Sequence, residues 1–278
     1  MSQKRVVAIH DISCFGKCSL TVALPILSAC GSECSVIPTA VLSTHTGGFS
    51  GYTFRDLTDD ILPVASHWRS EGITADVFYT GYLGSCKQAE IVKRTIEMLR
   101  TDASSVIVDP AMADFGKLYK GFDENFPLEM LSLCQCADII VPNITEACLL
   151  TGIDYMEPPY SEEYIEKLIR RTAELTGTSV VLTGVCFDDR RIGAAIYEKG
   201  DIHYALTRRI PAIYHGTGDV FASAMIGALI NERSLQAAVQ IAVNFTRESI
   251  EKTVEENPER EYGVNFESAL AELFKVIE

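Results

Sequence analysis

Six apolar, β-branched runs punctuate the first two thirds of the chain: VVAIH (6–10), SVIPTAVLS (35–43), DVFYTGYL (76–83), SVIVDPAM (105–112), DIIVPN (138–143) and SVVLTGV (179–185). They are nearly continuous in hydrophobicity rather than alternating, which is the pattern of parallel strands covered on both faces. Between and after them the residue spacing predicts helices over 19–30, 56–71, 85–101, 127–136, 145–152, 161–177, 218–231, 234–256 and 264–277. Strands alternating with helices predict an α/β fold wound on both sides of a mostly parallel sheet. The stretch GAAIYEKGDIHYAL (193–206) turns on Lys199-Gly200-Asp201 and predicts an antiparallel hairpin at the sheet edge. No repeat, low-complexity tract or linker interrupts the pattern. EPPYSEE (157–163) and EENPEREYG (255–263) read as polar surface connections, so 1–278 is expected to be a single domain.

With 278 residues, 47% of them hydrophobic, the chain can bury a sizeable core. The basic start MSQKR is followed by only a short apolar run, with no small-residue cleavage site behind it. No apolar run approaches the roughly 18 residues a membrane span requires. A soluble, cytoplasmic protein with no membrane partner is expected. The net charge of -14 argues against nucleic-acid phosphates as partners. It leaves room for a small anionic ligand, because a helix N-terminus or a bound divalent cation supplies positive potential without basic side chains. Nine cysteines, an odd number, suit reduced thiols. Cys14-x3-Cys18 and Cys30-x3-Cys34 are spaced as zinc ligands could be. The intervening LTVALPILSA looks like a core helix, however, and small buried hydrophobes are the better reading for most of the thiols.

The strands end in polar signals: HDIS, STHTGG, TGYLGS, DPAMAD, PNITE and LTG. Turns favour such residues anyway, but open parallel sheets hold their ligands beyond these ends, and six together point to a site. GTGD, before the apolar run VFASAMIGALI, is the most informative. Successive glycine-permitted backbone N–H groups at a helix start can converge on an anion. Asp219 alone could be an ordinary first-turn carboxylate, yet beside a phosphoryl group it could accept the proton of an attacking hydroxyl. Asp109, Asp114 and Glu146 supply the oxygen ligands that Mg²⁺ takes, although Asp109 before Pro110 and Glu146 in a helix's first turn are also commonplace positions for acids. A Walker A loop fails, since Asp11 stands five residues before Gly16-Lys17 and Cys18 follows; GxGxxG after the first strand and GxSxG are absent.

HGTGD at 215–219, VDPAM at 108–112, ADIIVPNITEACLLTG at 137–152 and STHTGG at 43–48 together resemble the ribokinase-like superfamily, and within it the pyridoxal, pyridoxine and pyridoxamine kinases. The resemblance spans nearly the whole chain and extends to the hydroxymethylpyrimidine kinases. It implies a three-layer α/β/α sandwich and the use of ATP and Mg²⁺, possible help from a monovalent cation such as K⁺, and a homodimer. It further implies that Asp219 is the catalytic base, that the amides of Gly216, Thr217 and Gly218 form the anion hole, and that Asn143 and Glu146 organise Mg²⁺. Asp109 and Asp114 would lie near the phosphates and cations, and Thr183 would line the nucleotide site. Asp11, His45, Thr46 and Tyr82 would contact a B6 vitamer. Two positions depart from the family: HDIS stands where animal-type enzymes carry serine, and His215 stands where some members carry a cysteine that captures the aldehyde. His215 could approach the phosphates or fill the loop. The implied function is ATP-dependent phosphorylation of a B6 vitamer's 5′-hydroxymethyl group, with hydroxymethylpyrimidine kinase and a non-catalytic B6-binding protein as alternatives.

Overall fold

The computed structural model describes residues 3–257, 259 and 262–277. Three residues of the polar connection expected over 255–263 therefore lie outside the described residues. The first half runs β1 (Arg5–Ser13), α1 (Leu20–Ala29), β2 (Glu33–Leu42), β3 (Phe54–Asp56), α2 (Thr58–Ser70), β4 (Val77–Thr80), α3 (Cys86–Leu99), β5 (Ser105–Val108) and the two-residue strands β6 (Ala113–Asp114) and β7 (Lys117–Leu118). There follow α4 (Phe126–Cys134), β8 (Ile139–Ile140), α5 (Ile144–Thr151), α6 (Glu162–Thr176), β9 (Ser179–Asp188), β10 (Arg191–Glu198) and β11 (Asp201–Arg208). The chain ends with α7 (Thr217–Ile230), α8 (Leu235–Glu256), a 3₁₀ turn (Glu267–Ala269) and α9 (Leu270–Ile277).

Nine strands form one sheet in the order β11-β10-β9-β8-β5-β4-β1-β2-β3. The six from β9 to β2 are parallel, as their continuous apolar runs require. Successive side chains point to opposite faces. Val7, Ile9, Phe78, Val106, Val108 and Leu182 pack beneath α2 to α6, while Val6, Ala8, Tyr79, Ile107 and Val181 pack beneath α1, α7, α8 and α9. The result is the expected three-layer α/β/α sandwich. Among the described residues no helix is long and apolar enough to cross a membrane.

Three features differ from the sequence expectation. The edge is a three-stranded meander of β9, β10 and β11, because β9 continues past the apolar run to Asp188 before turning back. The β10–β11 turn places Lys199 at φ 53° and Gly200 at φ 98°, the positive pair that suits the twist of a two-residue hairpin. On the other edge, the unforeseen β3 runs antiparallel to β2; all three of its residues are exposed, so it has no hydrophobic signature. Finally, the strands expected over 76–83, 105–112 and 138–143 end early, at Thr80, Val108 and Ile140, and their last residues are loops in which buried Leu83, Met112 and Val141 carry the apolar pattern onward.

The nine cysteines are all free. Only Cys30, Cys134, Cys148 and Cys186 are buried, so the buried-hydrophobe reading holds for fewer than half; Cys14 is exposed. Among the described residues no three His, Cys, Asp or Glu side chains are grouped to hold a metal ion, the spaced cysteine pairs included.

Candidate active site

Helix α7 is apolar on every side from Val220 to Ala228 and is buried throughout that stretch, which anchors its N-terminus at the carboxyl end of the sheet. Gly216 is its N-cap, left-handed at φ 75° and ψ 5°, and no side chain caps the helix. Within the described residues no acceptor takes the N–H groups of Thr217, Gly218 or Asp219. Unpaired amides at the positive end of a rigid helix form a hollow suited to an anion. A side chain at Gly216 would have its Cβ 1.8 Å from the Lys17 carbonyl oxygen and 3.2 Å from the Cys18 sulfur, so only glycine allows this close approach.

Asp219 begins the first full turn of α7 and keeps part of its surface open. Its Oδ2 accepts the Ser19 backbone N–H at 2.9 Å. Burial pushes its carboxyl up to about 7; the Ser19 bond works against that rise and the charge of Asp11 adds to it. A carboxylate that titrates near neutrality is matched to taking a proton from a hydroxyl. Asp11 lies at a break in the β1–β2 register between His10 and Ile12, the kind of bulge that re-aims a side chain. It is 4% exposed, it accepts a bond from Ser13 Oγ at 3.2 Å, and burial raises its carboxyl as well.

Asp109, at the end of β5, and Glu146, on α5, are buried, and both are pushed above the usual carboxylate range by loss of solvent. Asp109 also feels the charges of Glu146 and Asp219. None of these acids has an ion-pair partner among the described residues. Glu146 is nonetheless well bonded. Asn143 caps α5 reciprocally with it, the Asn143 N–H reaching Glu146 Oε2 at 2.8 Å, and the Met112 N–H reaches Oε1 at 3.1 Å. Glu146 thus performs the first-turn capping role and also ties the DPAMAD loop to α5. Asp109 has no such donor, and Asp114 is exposed with Oδ1 accepting the Phe115 N–H at 2.9 Å. Mg²⁺ commonly binds one or two carboxylates and completes its shell with phosphate oxygens, which fits an acid-rich site in which, among the described residues, no three groups converge alone.

The electrostatics give a stability prediction. A carboxyl whose folded pKa is raised binds protons more tightly in the folded state, so stability falls as pH rises from the unfolded value of 3.8 toward the folded value of about 7 for Asp219. Thermal unfolding of the ligand-free protein is expected to show a lower Tm at pH 8 than at pH 5.5. A Tm that is flat across this window would contradict the reading.

Asn143 and Thr183 form an isolated parallel bridge, and the Thr183 N–H donates to the Pro142 carbonyl at 2.9 Å. The predicted nucleotide residues of the fifth and sixth runs are thus joined at one place. On the other side, Tyr82 packs on Phe122 at 5.6 Å between ring centroids, and burial with the nearby charge of Asp11 pushes its hydroxyl up to about 12. His45 is buried and Thr46 is exposed. The His45 ring lies 5.4 Å from that of His215 and 5.0 Å from Phe49, with Nε2 3.3 Å from the Tyr262 carbonyl. The exposed His215 ring lies against the STHTGG turn, where a Cβ on Gly47 would fall 2.5 Å from it, so HGTGD and STHTGG meet at this ring. Asp114 lies within its electrostatic reach.

Sequence reasoning passed over Ser19 and Tyr119. Tyr119 comes after the β6–β7 hairpin, and its hydroxyl feels the charges of Glu146, Asp114, Asp109 and Asp219. No motif marks it. At the outer edge of the same sheet end, Asp189, Arg190, Arg208, Arg209 and Pro211 line an open cavity of about 540 Å³.

The profile of the phosphomethylpyrimidine kinase family matches residues 24–263. A solved structure from Bacteroides thetaiotaomicron, assigned to the phosphomethylpyrimidine kinases and crystallised with pyridoxal, is 34% identical, with 98% of this chain and 96% of that one covered and a TM-score of 0.91. Pyridoxal kinase from Lactobacillus plantarum is 32% identical over 99% of this chain and 98% of its own, also with a TM-score of 0.91. Hydroxymethylpyrimidine/phosphomethylpyrimidine kinase of Bacillus subtilis is 28% identical, covering 78% of each chain.

Proposed function

Because the chain belongs to the phosphomethylpyrimidine kinase family and has the ribokinase-like fold of its pyridoxal kinase neighbours, we propose that it phosphorylates the 5′-hydroxymethyl group of a B6 vitamer at the expense of ATP. The observation that carries this reading is the pairing of Asp219 with the unpaired amides of its own helix start. In this reading the hollow at Gly216, Thr217 and Gly218 receives the transferred phosphoryl group and stabilises the charge that develops on it. Asp219 takes the proton of the acceptor hydroxyl while the new O–P bond forms and the bond to the departing ADP oxygen breaks. Asp109 and Asp114 would hold Mg²⁺, which supplies charge neutralisation at the phosphates; Glu146 and Asn143 keep the loop carrying those acids in place. Thr183 lines the nucleotide side. The acceptor ring would lie between Asp11 and Tyr82, with the turn of His45 and Thr46 closing the site. The whole span 1–278 is read as one catalytic domain.

The family profile and the Bacillus relative favour hydroxymethylpyrimidine as a second acceptor. Competition decides: pyridoxal, pyridoxine, pyridoxamine and hydroxymethylpyrimidine are offered together with ATP and Mg²⁺, and the products are separated by mass. A B6 phosphate formed with at least tenfold greater kcat/KM is expected. Hydroxymethylpyrimidine phosphate as the dominant product would move the activity to thiamine supply, and vitamer binding without any phosphorylated product would favour a non-catalytic binding protein.

A further inference from the structure

Ser85 caps α3 by accepting the Gln88 N–H at 3.2 Å, and serine followed three residues on by glutamine is the pattern of a capping box. In such a box the glutamine side chain returns to the backbone N–H of the cap itself. Here it reaches one residue further out: Gln88 Oε1 accepts the N–H of Gly84 at 2.7 Å. Gln88 is fully buried, which is uncommon for a glutamine, and its amide nitrogen is bonded too. Nε2 donates to the Thr58 hydroxyl at 2.8 Å and the Thr39 carbonyl at 3.0 Å, with Asp56 Oδ1 at 3.3 Å. The Thr58 hydroxyl donates onward to Asp56, which fixes the direction of the whole chain of bonds. One amide therefore ties the TGYLGS loop, which carries Tyr82, to β2 and to the junction of β3 with α2. Phe54 of β3 packs on the same loop, where a Cβ on Gly84 would lie 3.5 Å from its ring. Between β2 and β3 runs the turn that carries His45 and Thr46, closed at its base by the Thr53 N–H on Ser43 Oγ at 2.9 Å.

We propose that Gln88 is a positioning residue for the acceptor: its amide holds the TGYLGS loop, and with it Tyr82, against the β2–β3 edge from which the turn of His45 and Thr46 emerges. This rests on the kinase reading above, in which Tyr82 faces the acceptor ring. Gln88 acts on the acceptor only through the backbone of the loop. It therefore governs acceptor binding and leaves the nucleotide side, at the ends of β8 and β9, alone.

Gln88→Met keeps the length of the side chain and removes every one of its bonds. Leaving the Gly84 N–H without its acceptor should loosen the loop enough to raise KM for the acceptor about tenfold. KM for ATP should be unchanged and kcat should stay within about threefold. In a cycle with Tyr82→Ala, the double variant should be no worse in acceptor KM than Tyr82→Ala alone, because Gln88 acts through the loop that carries that ring. Gln88→Glu keeps an oxygen for the Gly84 N–H, but as a carboxylate it faces the Thr39 carbonyl and Asp56 without a donor. It should melt below the native protein and yet recover most of the acceptor affinity lost in Gln88→Met, which separates positioning from folding.

Two readouts are independent of turnover. Hydrogen exchange at the Gly84 amide, followed by NMR, should be at least about tenfold faster in Gln88→Met than in the native protein and close to native in Gln88→Glu. Calorimetry of pyridoxine binding without ATP should show about tenfold weaker binding to Gln88→Met. If the native protein bound pyridoxine and turned none over, the kinase reading would fail, and the calorimetry would still decide the role of Gln88. Acceptor affinity that is unmoved in Gln88→Met, or that follows Tm rather than Gly84 exchange across the two variants, would overturn the proposal. So would KM effects that multiply in the cycle.

Discussion

Asp219→Asn is expected to lower kcat by about 10² to 10⁴, the usual cost of losing a general base, while KM for both substrates stays within a few-fold of native. The amide has the same shape and its oxygen can still accept the Ser19 N–H, so the geometry of α7 should survive. The same change removes a half-buried negative charge that feels Asp11 and pushes up the carboxyl of Asp109. The ligand-free variant should therefore melt higher than the native protein at pH 8, where Asp219 would otherwise be ionised. A stabilised and nearly inactive variant is the signature of a charge retained for chemistry rather than for folding. Turnover within threefold of native, or a Tm that falls, would remove Asp219 from the role of base.

Gly216→Ala should be the most damaging conservative change in the hollow. The added methyl carbon would sit 1.8 Å from the Lys17 carbonyl oxygen, a backbone atom that no side-chain rotation can clear, and φ 75° is itself unfavourable to alanine. Either the loop or the Lys17 segment must move by an ångström or more. A misplacement of that size costs about 10² in rate when positioning supplies the catalysis, so kcat/KM for ATP should fall by at least that factor, with a measurable drop in Tm. Gly218 is the internal control for stability: a Cβ there meets nothing within 4 Å. Thermal unfolding of Gly218→Ala should match the native protein, and equal melting of the two alanine variants would contradict the packing argument.

What could be read from the sequence follows from the range of the interactions. The buried parallel strands announced themselves as continuous apolar runs, and most helices lie within a few residues of their predicted spans; the last begins at Leu270 rather than 264, after a 3₁₀ turn. The strand-end motifs gathered Asp11, Asp109, Asn143, Thr183 and Asp219 at one end of the sheet, since the fold itself brings parallel strand ends together. What escaped depends on contacts between distant segments. No motif marks Ser19, and only the approach of α7 brings its backbone N–H onto Asp219. Glu146 reads equally as a cap or a metal ligand; its amide partners, Asn143 nearby and Met112 in another loop, show the capping role at work. The β3 strand is too short and exposed, and the two-residue strands β6 and β7 are too short, to leave a pattern.

The central claim is that this chain moves a phosphoryl group from ATP to the 5′-hydroxyl of a B6 vitamer, and it is tested most directly by identifying the products of one reaction. Purified protein, pyridoxal, ATP and Mg²⁺ are incubated at pH 7.5 and followed by ³¹P NMR. The expected result is a new phosphate monoester at the 5′ position, appearing in equal amount with ADP and absent when Asp219→Asn replaces the native chain. ADP formed without the ester, or no loss of ATP while hydroxymethylpyrimidine is phosphorylated under the same conditions, would contradict it.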